Sequence, residues 1–271
     1  VKSPLVSVLI CSYNAERFIE ATLRSVLDQT YRDLEVLVLD NCSSDGTVGM
    51  LDRIGGEEPR LKLYRGKENV GAYGGLNYLL DRAAGKYIAI QDHDDIWHPD
   101  KVRQQVEFLE ENSRYVGCGT AIVNYYERYD TFLLRKQMEV SSIAWHTSLV
   151  FRNYGKRYVA SVKVATDFHF MKHVLCGGRK LIRNFGEPYV LRRIRADGSN
   201  LSTAWARLAN AKDILQVDIA LFDKLCLVNR LLMPGRLVDY LLVKLLLRRS
   251  IIGRQEMEND EILRAYVRPL S

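Results

Sequence analysis

Three short apolar runs, at residues 5–11, 34–39 and 87–90, govern what this chain can fold into. Each is rich in branched side chains, stops abruptly at a polar or acidic position, and is followed by a segment of helical spacing. Short runs with no polar face read as strands buried on both sides. Such strands belong to parallel sheets whose connecting helices cover both faces. Residues 14–29 carry Phe18, Ile19, Leu23, Val26 and Leu27 at helical spacing, with Asn14 as the N-cap. A second helical stretch starts at about Val48, residues 61–65 form a short strand, and residues 77–84 form a helix closed by Gly85. Residues 99–111 form another helix, with Pro99 at its start. The pattern predicts an α/β fold with a mostly parallel central sheet flanked by helices. In such sheets ligands bind beyond the carboxyl ends of the strands, which is where Asp40 and the acidic run from Asp92 to Asp95 stand.

The 271 residues suffice for one large domain, or for one domain with a helical appendage. Residues 116–126 and 148–151 read as further strands and residues 164–175 as a helix. Beyond about residue 202 the character changes to long Leu-rich helical stretches, interrupted at Pro234 and Gly235. The expected division is an α/β body over residues 1–205 and a C-terminal helical extension over 206–271. The five cysteines (Cys11, Cys42, Cys118, Cys176 and Cys226) form no CxxC pair, which argues against a zinc site and for reduced thiols in a cytoplasmic setting. No signal peptide is expected, because strand-like sequence begins near residue 5. No apolar run reaches the roughly 18 residues that a membrane span requires.

The segment AIQDHDDIW, residues 89–97, puts three carboxylates within four positions directly behind a hydrophobic strand. Their mutual repulsion is costly unless a cation sits among them. A hard divalent ion, Mn²⁺ or Mg²⁺, takes oxygen ligands and can bridge to diphosphate oxygens, so Asp92 and Asp94 are candidate metal ligands. Such an ion would stabilise the charge developing on a departing nucleoside diphosphate. The same acids would also serve as a solvated turn ahead of the helix at Pro99. His93 between them is either a ligand or a residue that points away and tunes the turn.

Taken in order, the pieces resemble the family 2 glycosyltransferases. VSVLICSYN (residues 6–14) is similar to their opening strand and loop, and SVLDQTY (25–31) to the segment after their first helix. LVLDNCSSDGT (37–47) is similar to their second strand and acidic turn. NVG (69–71), Asn77 and AGKYI (84–88) resemble the approach to their DxD motif, DHDDIW (92–97) the motif itself, and Pro99-Asp100-Lys101 its continuation. The resemblance covers roughly residues 5–200. It implies a GT-A fold, an inverting transfer and a nucleotide-sugar donor, with uridine the commonest expectation and guanosine or thymidine as alternatives. By the same resemblance Asp40 hydrogen-bonds the nucleobase, Tyr13 and Cys11 line the donor site, Asp92 reaches the ribose side and the metal, Asp94 binds the metal, and Asp95 supports the loop.

Displacement at an anomeric carbon needs a base on the face opposite the leaving group. The family supplies it as the Asp of an acidic pair opening a helix, and Ala165-Thr166-Asp167-Phe168 occupies that place. Thr166 departs from the family's usual Glu, but Asp167 remains the expected base, beside the plainer reading of a helix N-terminal acid. His146, in WHTSLVFR (145–152), is expected to be structural. RRIRADGSNLS (192–202) resembles a late family motif, with Arg195 where a His often stands. An arginine cannot bind a cation, so Arg195 is expected either to pair with the diphosphate or to lie on a solvated strand edge. The glycines of residues 69–75 form neither GxGxxG after a strand nor a Walker motif, and read as a loop over the donor or a plain turn.

The expected activity is hexosyl transfer in surface polysaccharide or glycan assembly, with a glycan or lipid-linked glycan as acceptor. An inactive nucleotide-sugar binding module and a nucleotidyltransferase are the alternatives. The loop of residues 11–17 lacks the glycines of the latter. In the tail, Leu237, Leu241, Leu245 and their apolar neighbours face a stripe of Arg236, Tyr240, Lys244 and Arg248. That pattern suits peripheral contact with an anionic membrane or packing on the body. The net charge of +6 is mild and its basic residues are dispersed, so nucleic acid is not an expected partner.

Overall fold

The computed structural model describes residues 3–162, 165–197 and 251–267. Its centre is four parallel strands in the order β3 (Leu61–Arg65), β2 (Leu34–Asp40), β1 (Val6–Ser12) and β4 (Tyr87–Ile90). β2 is buried along its whole length, including Glu35, whose carboxylate accepts from Ser7 Oγ and Lys62 Nζ. Alternate side chains separate onto two faces. Val6, Val8, Ile10, Val36 and Val38 pack with α1 (Ile19–Leu27), α2 (Thr47–Glu57) and α4 (Lys101–Glu111). Leu9, Leu37 and Leu39 pack with α3 (Gly71–Leu80) and a π-helical segment, Phe170–Leu175.

Beyond β4 the neighbours run antiparallel. β9 (Val150–Arg152) joins β4 to β6 (Gly117–Tyr126), and β7 (Thr131–Arg135) continues from β6. β10 (Ile182–Ile194) lies parallel to β6 and pairs also with β5 (Ile96–Trp97) and β8 (Val140–Ser141). Its register with β6 shifts on both sides of Pro188. A bulge is one of the few places where proline, lacking an N–H, fits a strand.

The end of the chain returns to this body. β11 (Ile251–Ile252) pairs with β7. α6 (Arg254–Asn259) and the turn Leu263–Tyr266 bury Met257, Leu263 and Tyr266 against Ile96, Val123 and Leu191. The Tyr266 hydroxyl donates to the Pro188 carbonyl at 2.6 Å. The expected boundary at 205 and the Leu-rich stretch that follows lie outside the described residues. Among the described residues no helix is long and apolar enough to cross a membrane.

Two helix starts differ from the sequence reading. α1 begins at Ile19, and Asn14 is no N-cap: it adopts the left-handed region at φ 46°. The loop after β2 claims it instead. Asn14 Oδ1 accepts the Ser44 N–H at 2.8 Å, and the Asn14 and Ala15 N–H groups donate to the hydroxyls of Ser43 and Thr47. α3 begins at Gly71, six residues before the expected Asn77, so the glycines read as a loop form its first turns. Intrinsic propensity opposes this, but close packing favours it. A Cβ at Gly75 would overlap Cys11 Sγ and stand 3.1 Å from a Leu39 methyl. Gly75→Ala should therefore lose about 1–3 kcal/mol to overpacking, seen as a lower urea midpoint, even though alanine is the better helix former. A variant as stable as the parent would remove this account.

Lys101 opens α4 with its side chain fully buried. Its Nζ makes no hydrogen bond among the described residues and lies 3.8 Å from the Trp97 ring centroid. Burial pushes the amine from its ordinary 10.5 down to about 7. Between those values the unfolded chain carries a proton that the folded chain lacks, so stability should rise with pH across that window. Urea midpoints measured from pH 7 to 10 should climb in the parent and climb less in Lys101→Met. Equal pH dependence in both proteins would contradict the assignment.

Candidate active site

The carboxyl ends of β1, β2 and β4 open on one rim. In the β1–β2 register Ser12 stands opposite Asp40. Asp40 is 4% exposed. Its Oδ2 accepts the Ser43 N–H at 3.2 Å, while Oδ1 is buried without a hydrogen bond among the described residues. A buried acceptor left without a donor is costly, which fits this atom to take an N–H from a ligand. Cys11 lies between Asp40 and Asp92. Burial first, then the charges of those two acids, push its thiol up to about 12. It is therefore a neutral wall residue and no nucleophile. Tyr13, in the next loop, is 43% exposed. A cavity of about 460 Å³ opens beside it, with Arg17, Phe18 and Arg195 among its other walls.

β4 leads into the acidic turn, which is fixed from inside. Thr22 Oγ1 of α1 lies 3.0 Å from the carbonyl oxygens of both His93 and Asp95, and Gln91 Nε2 donates to the Asp95 carbonyl at 2.7 Å. Asp95 is 1% exposed, and its Oδ1 accepts the Arg193 N–H at 2.9 Å, tying the turn to β10. Burial, then the charges of Asp94 and Asp92, push its carboxyl well above the ordinary range. Asp94 points to the end of β10, where Arg195 Nε donates to its Oδ2 at 2.8 Å. These two side chains are only 9% and 11% exposed.

Arg195 Nη2 also reaches His93 Nε2 at 2.6 Å, and His93 Nδ1 lies 3.2 Å from the Cys11 carbonyl oxygen. A carbonyl only accepts, so Nδ1 carries the proton and Nε2 accepts from Arg195. Asp92 is the open member of the turn, with its side chain 45% exposed and Oδ1 3.8 Å from His146 Nδ1. Desolvation works to raise its carboxyl, but His146 and then Arg192 outweigh it and hold the group below its ordinary range.

Asp167 lies in the first turn of α5 (Thr166–His169), after Ala165 in the left-handed region at φ 51°. Its Oδ1 accepts the Phe168 N–H at 2.9 Å. Between Asp167 and Asp92 stand three rings, Tyr73, His146 and Tyr158. His146 Nε2 is 2.8 Å from the Tyr158 hydroxyl, and the Tyr73 ring centroid lies 5.2 Å from that of Tyr158 and 6.0 Å from that of His146. Burial, then the charges of Asp167 and Asp92, raise the Tyr73 hydroxyl, and the same forces act on Tyr158 with Tyr73 added. Burial opposes protonation of His146, but Asp92 and then Asp167 prevail and raise it. Both carboxylates therefore act on one shared cluster.

Of the residues singled out in the sequence, Asp40, Cys11 and Asp92 follow one another across the ends of β2, β1 and β4, Asp167 acts with Asp92 on the shared cluster, and Asp94 pairs with Arg195. Arg195 is in a nearly buried ion pair, which replaces the expected solvated edge. His146, expected to be structural, stands between two acids. Tyr73 and Tyr158 were not legible: Tyr73 falls in the glycine stretch read as a loop, and Tyr158 in a segment without periodicity. Asn77 was the available signal, because its side chain brackets Tyr158, donating to its carbonyl at 2.9 Å and accepting its N–H at 2.8 Å.

Among the described residues no group of three His, Cys, Asp or Glu side chains surrounds a common point. A closed protein cage for a metal is therefore not built there. Asp92 and Asp94 do fit a hard divalent ion that takes one or two carboxylates and completes its shell with phosphate oxygens and water. The charge pressure on Asp95 marks a turn with surplus negative charge. Asp95→Asn, which keeps an acceptor for the Arg193 N–H and removes a buried acid, should fold with parental stability. Asp95→Ala leaves that N–H unsatisfied and should lose about 1–3 kcal/mol. Urea denaturation of both checks this, and equal stability of the two variants would refute it.

The model of the family described as Glycosyl transferase family 2 matches residues 7–178. The chain is 44% identical over 122 residues to the putative teichuronic acid biosynthesis glycosyltransferase TuaG of Bacillus subtilis, which is 45% of this chain and 47% of that one. It is 34% identical over 126 residues to WfaP of Escherichia coli, a UDP-Glc:alpha-D-GlcNAc-diphosphoundecaprenol beta-1,3-glucosyltransferase, covering 46% and 48% of the two chains. The chain thus spans about half the length of these curated relatives. Among solved structures, the mannosyltransferase PcManGT of Pyrobaculum calidifontis, in complex with GDP-Man and Mn²⁺, matches with TM-score 0.62 at 20% identity, over 85% of this chain and 70% of that one. S. aureus TarS 1-349, in complex with UDP-GlcNAc, matches with TM-score 0.59 at 18% identity, over 89% and 76%. At these identities the likeness concerns the fold, which is GT-A.

Proposed function

Because the chain belongs to glycosyl transferase family 2, we propose that it moves a sugar from a nucleoside-diphosphate sugar to a hydroxyl of a glycan, inverting the anomeric carbon, with Asp167 as general base. The observation that carries this reading is the row of Asp40, Cys11 and Asp92 across the strand ends, with Asp92 and Asp167 both acting on the Tyr73–His146–Tyr158 cluster. Asp40 Oδ1, buried and without a partner among the described residues, accepts from a nucleobase N–H. Tyr13 covers the base, and the neutral Cys11 thiol lines its pocket. Asp92 and Asp94 would hold Mn²⁺ or Mg²⁺, which when bound supplies Lewis-acid stabilisation of the departing diphosphate. Arg195 pairs with diphosphate oxygens from the same side. Across the Tyr73–His146–Tyr158 cluster, Asp167 takes the acceptor proton. The acceptor oxygen bonds to the anomeric carbon as the carbon–oxygen bond to the diphosphate breaks, and the nucleoside diphosphate leaves with that electron pair.

The UDP-glucose named for WfaP and the UDP-GlcNAc bound to TarS support uridine as the base and a hexose as the sugar. The diphosphoundecaprenol named for WfaP supports a lipid-linked glycan acceptor in surface polysaccharide assembly. Thermal unfolding against UDP, GDP and dTDP, each with and without Mn²⁺, tests the donor site. One of them should raise the midpoint in a Mn²⁺-dependent way, since a ligand of the folded state stabilises it by mass action. No shift with any of them would sink the donor reading. Asp167→Asn should keep that shift while transfer to a lipid-linked N-acetylglucosaminyl diphosphate falls about 10²–10⁴-fold, the usual worth of a general base. Parental turnover in that variant would show that another group takes the proton.

A further inference from the structure

Of the two carboxylates offered to a divalent ion, only Asp92 is substantially open to solvent. Asp94 is 9% exposed, and Arg195 Nε holds its Oδ2 at 2.8 Å. The guanidinium is itself held in place. Its Nη2 meets His93 Nε2 at 2.6 Å, and its carbon lies 4.9 Å from the Phe18 ring centroid. Two residues earlier, the Arg193 N–H is fastened to Asp95. Arginine is a permanent cation with five donors, so the turn is part-neutralised before any ion arrives. A divalent ion bound at Asp94 would face a fixed positive charge within a few ångströms, and the two repel. A diphosphate changes this balance, because its oxygens offer the guanidinium another anionic partner, and a bidentate one.

Resting on the donor-site reading above, we infer that Arg195 is a built-in counter-cation of the acidic turn. It competes with the divalent ion for Asp94 and releases that carboxylate when a nucleoside diphosphate arrives to receive the guanidinium. Ion and nucleotide then bind with positive coupling, and by linkage each tightens the other by the same factor. His93 follows the exchange: while Arg195 occupies its Nε2, that nitrogen is not offered to the ion, and departure of the guanidinium frees it.

The test measures Mn²⁺ affinity of the full chain, from the paramagnetic resonance of free Mn²⁺, alone and with saturating UDP or GDP. In the parent the diphosphate should tighten Mn²⁺ binding by about 5–150-fold, the usual span of coupling between sites. Arg195→Gln should bind Mn²⁺ alone more tightly than the parent by a similar factor, and most of the coupling should vanish. Arg195→Lys, which keeps a cation, should stay nearer the parent, and thermal midpoints of both variants establish that they are folded. If the diphosphate binds the parent but Mn²⁺ affinity is the same with and without it, the inference falls and the donor site stands. The same holds if Arg195→Gln leaves Mn²⁺ affinity unchanged. If neither diphosphate binds the parent at all, the donor reading fails and takes this inference with it.

Discussion

Three like charges within four residues, at the end of a buried strand, set the terms for everything around them. Two unit charges 4 Å apart repel by about 4 kcal/mol at the effective dielectric of a protein surface. That exceeds the roughly 1 kcal/mol of a typical hydrogen bond, so each acid of the turn needs its own solution. Asp95 is buried with a backbone N–H on one oxygen and a carboxyl raised well above its ordinary range. Asp94 is matched by a guanidinium. Asp92 turns outward beside an imidazole. The first two solutions come from β10 and the residue that follows it, so a segment late in the sequence lies against a turn early in it.

The parallel half of the sheet supplies the other requirement, a common rim. β1, β2 and β4 run side by side in one direction, so the residues just past their ends gather without any long-range design of side chains. α3 and α5 then bring Tyr73 and Asp167 to the open side of Asp92. The antiparallel half contributes little to the rim directly. It holds β10, and through β10 it holds the basic residues that make the acidic turn tolerable.

The sequence was readable where local rules and tertiary demands agree. Short, mainly apolar runs rich in branched side chains could be little other than buried strands, and Asp40 and Asp92 stand at or just past the carboxyl ends of two of them. It was misleading where packing overrode propensity. The glycines of residues 71–75 look like a loop, yet they let α3 lie against Cys11 and Leu39, and misplacing that helix start concealed Tyr73. Asn14 looks like a cap because its side chain is suited to one, but the loop carrying Ser43 and Ser44 takes its hydrogen bonds. Arg195 was visible as a departure from a pattern. Its attachment to Asp94 and His93 was not, because nothing in a one-dimensional spacing says which residues lie a hundred positions away in sequence but side by side in space.

β10 behaves like a reading frame. Side chains and backbone N–H groups alternate along a strand with a period of two, so Arg193 has one phase and Ile194 the other, and Arg195 follows directly where the strand ends. That phase is set upstream, where the register against β6 shifts on both sides of Pro188, and the hydroxyl of Tyr266 clips the carbonyl of the same proline. Gain or loss of a single residue between Pro188 and Arg193 would be a frameshift in three dimensions. It would turn the isoleucine toward Asp94 and the arginine away, with composition and overall fold nearly unchanged. In this family member, length just upstream of the basic motif is thus under as tight a constraint as the identity of the motif itself, and the far end of the chain acts as the punctuation that keeps it in phase.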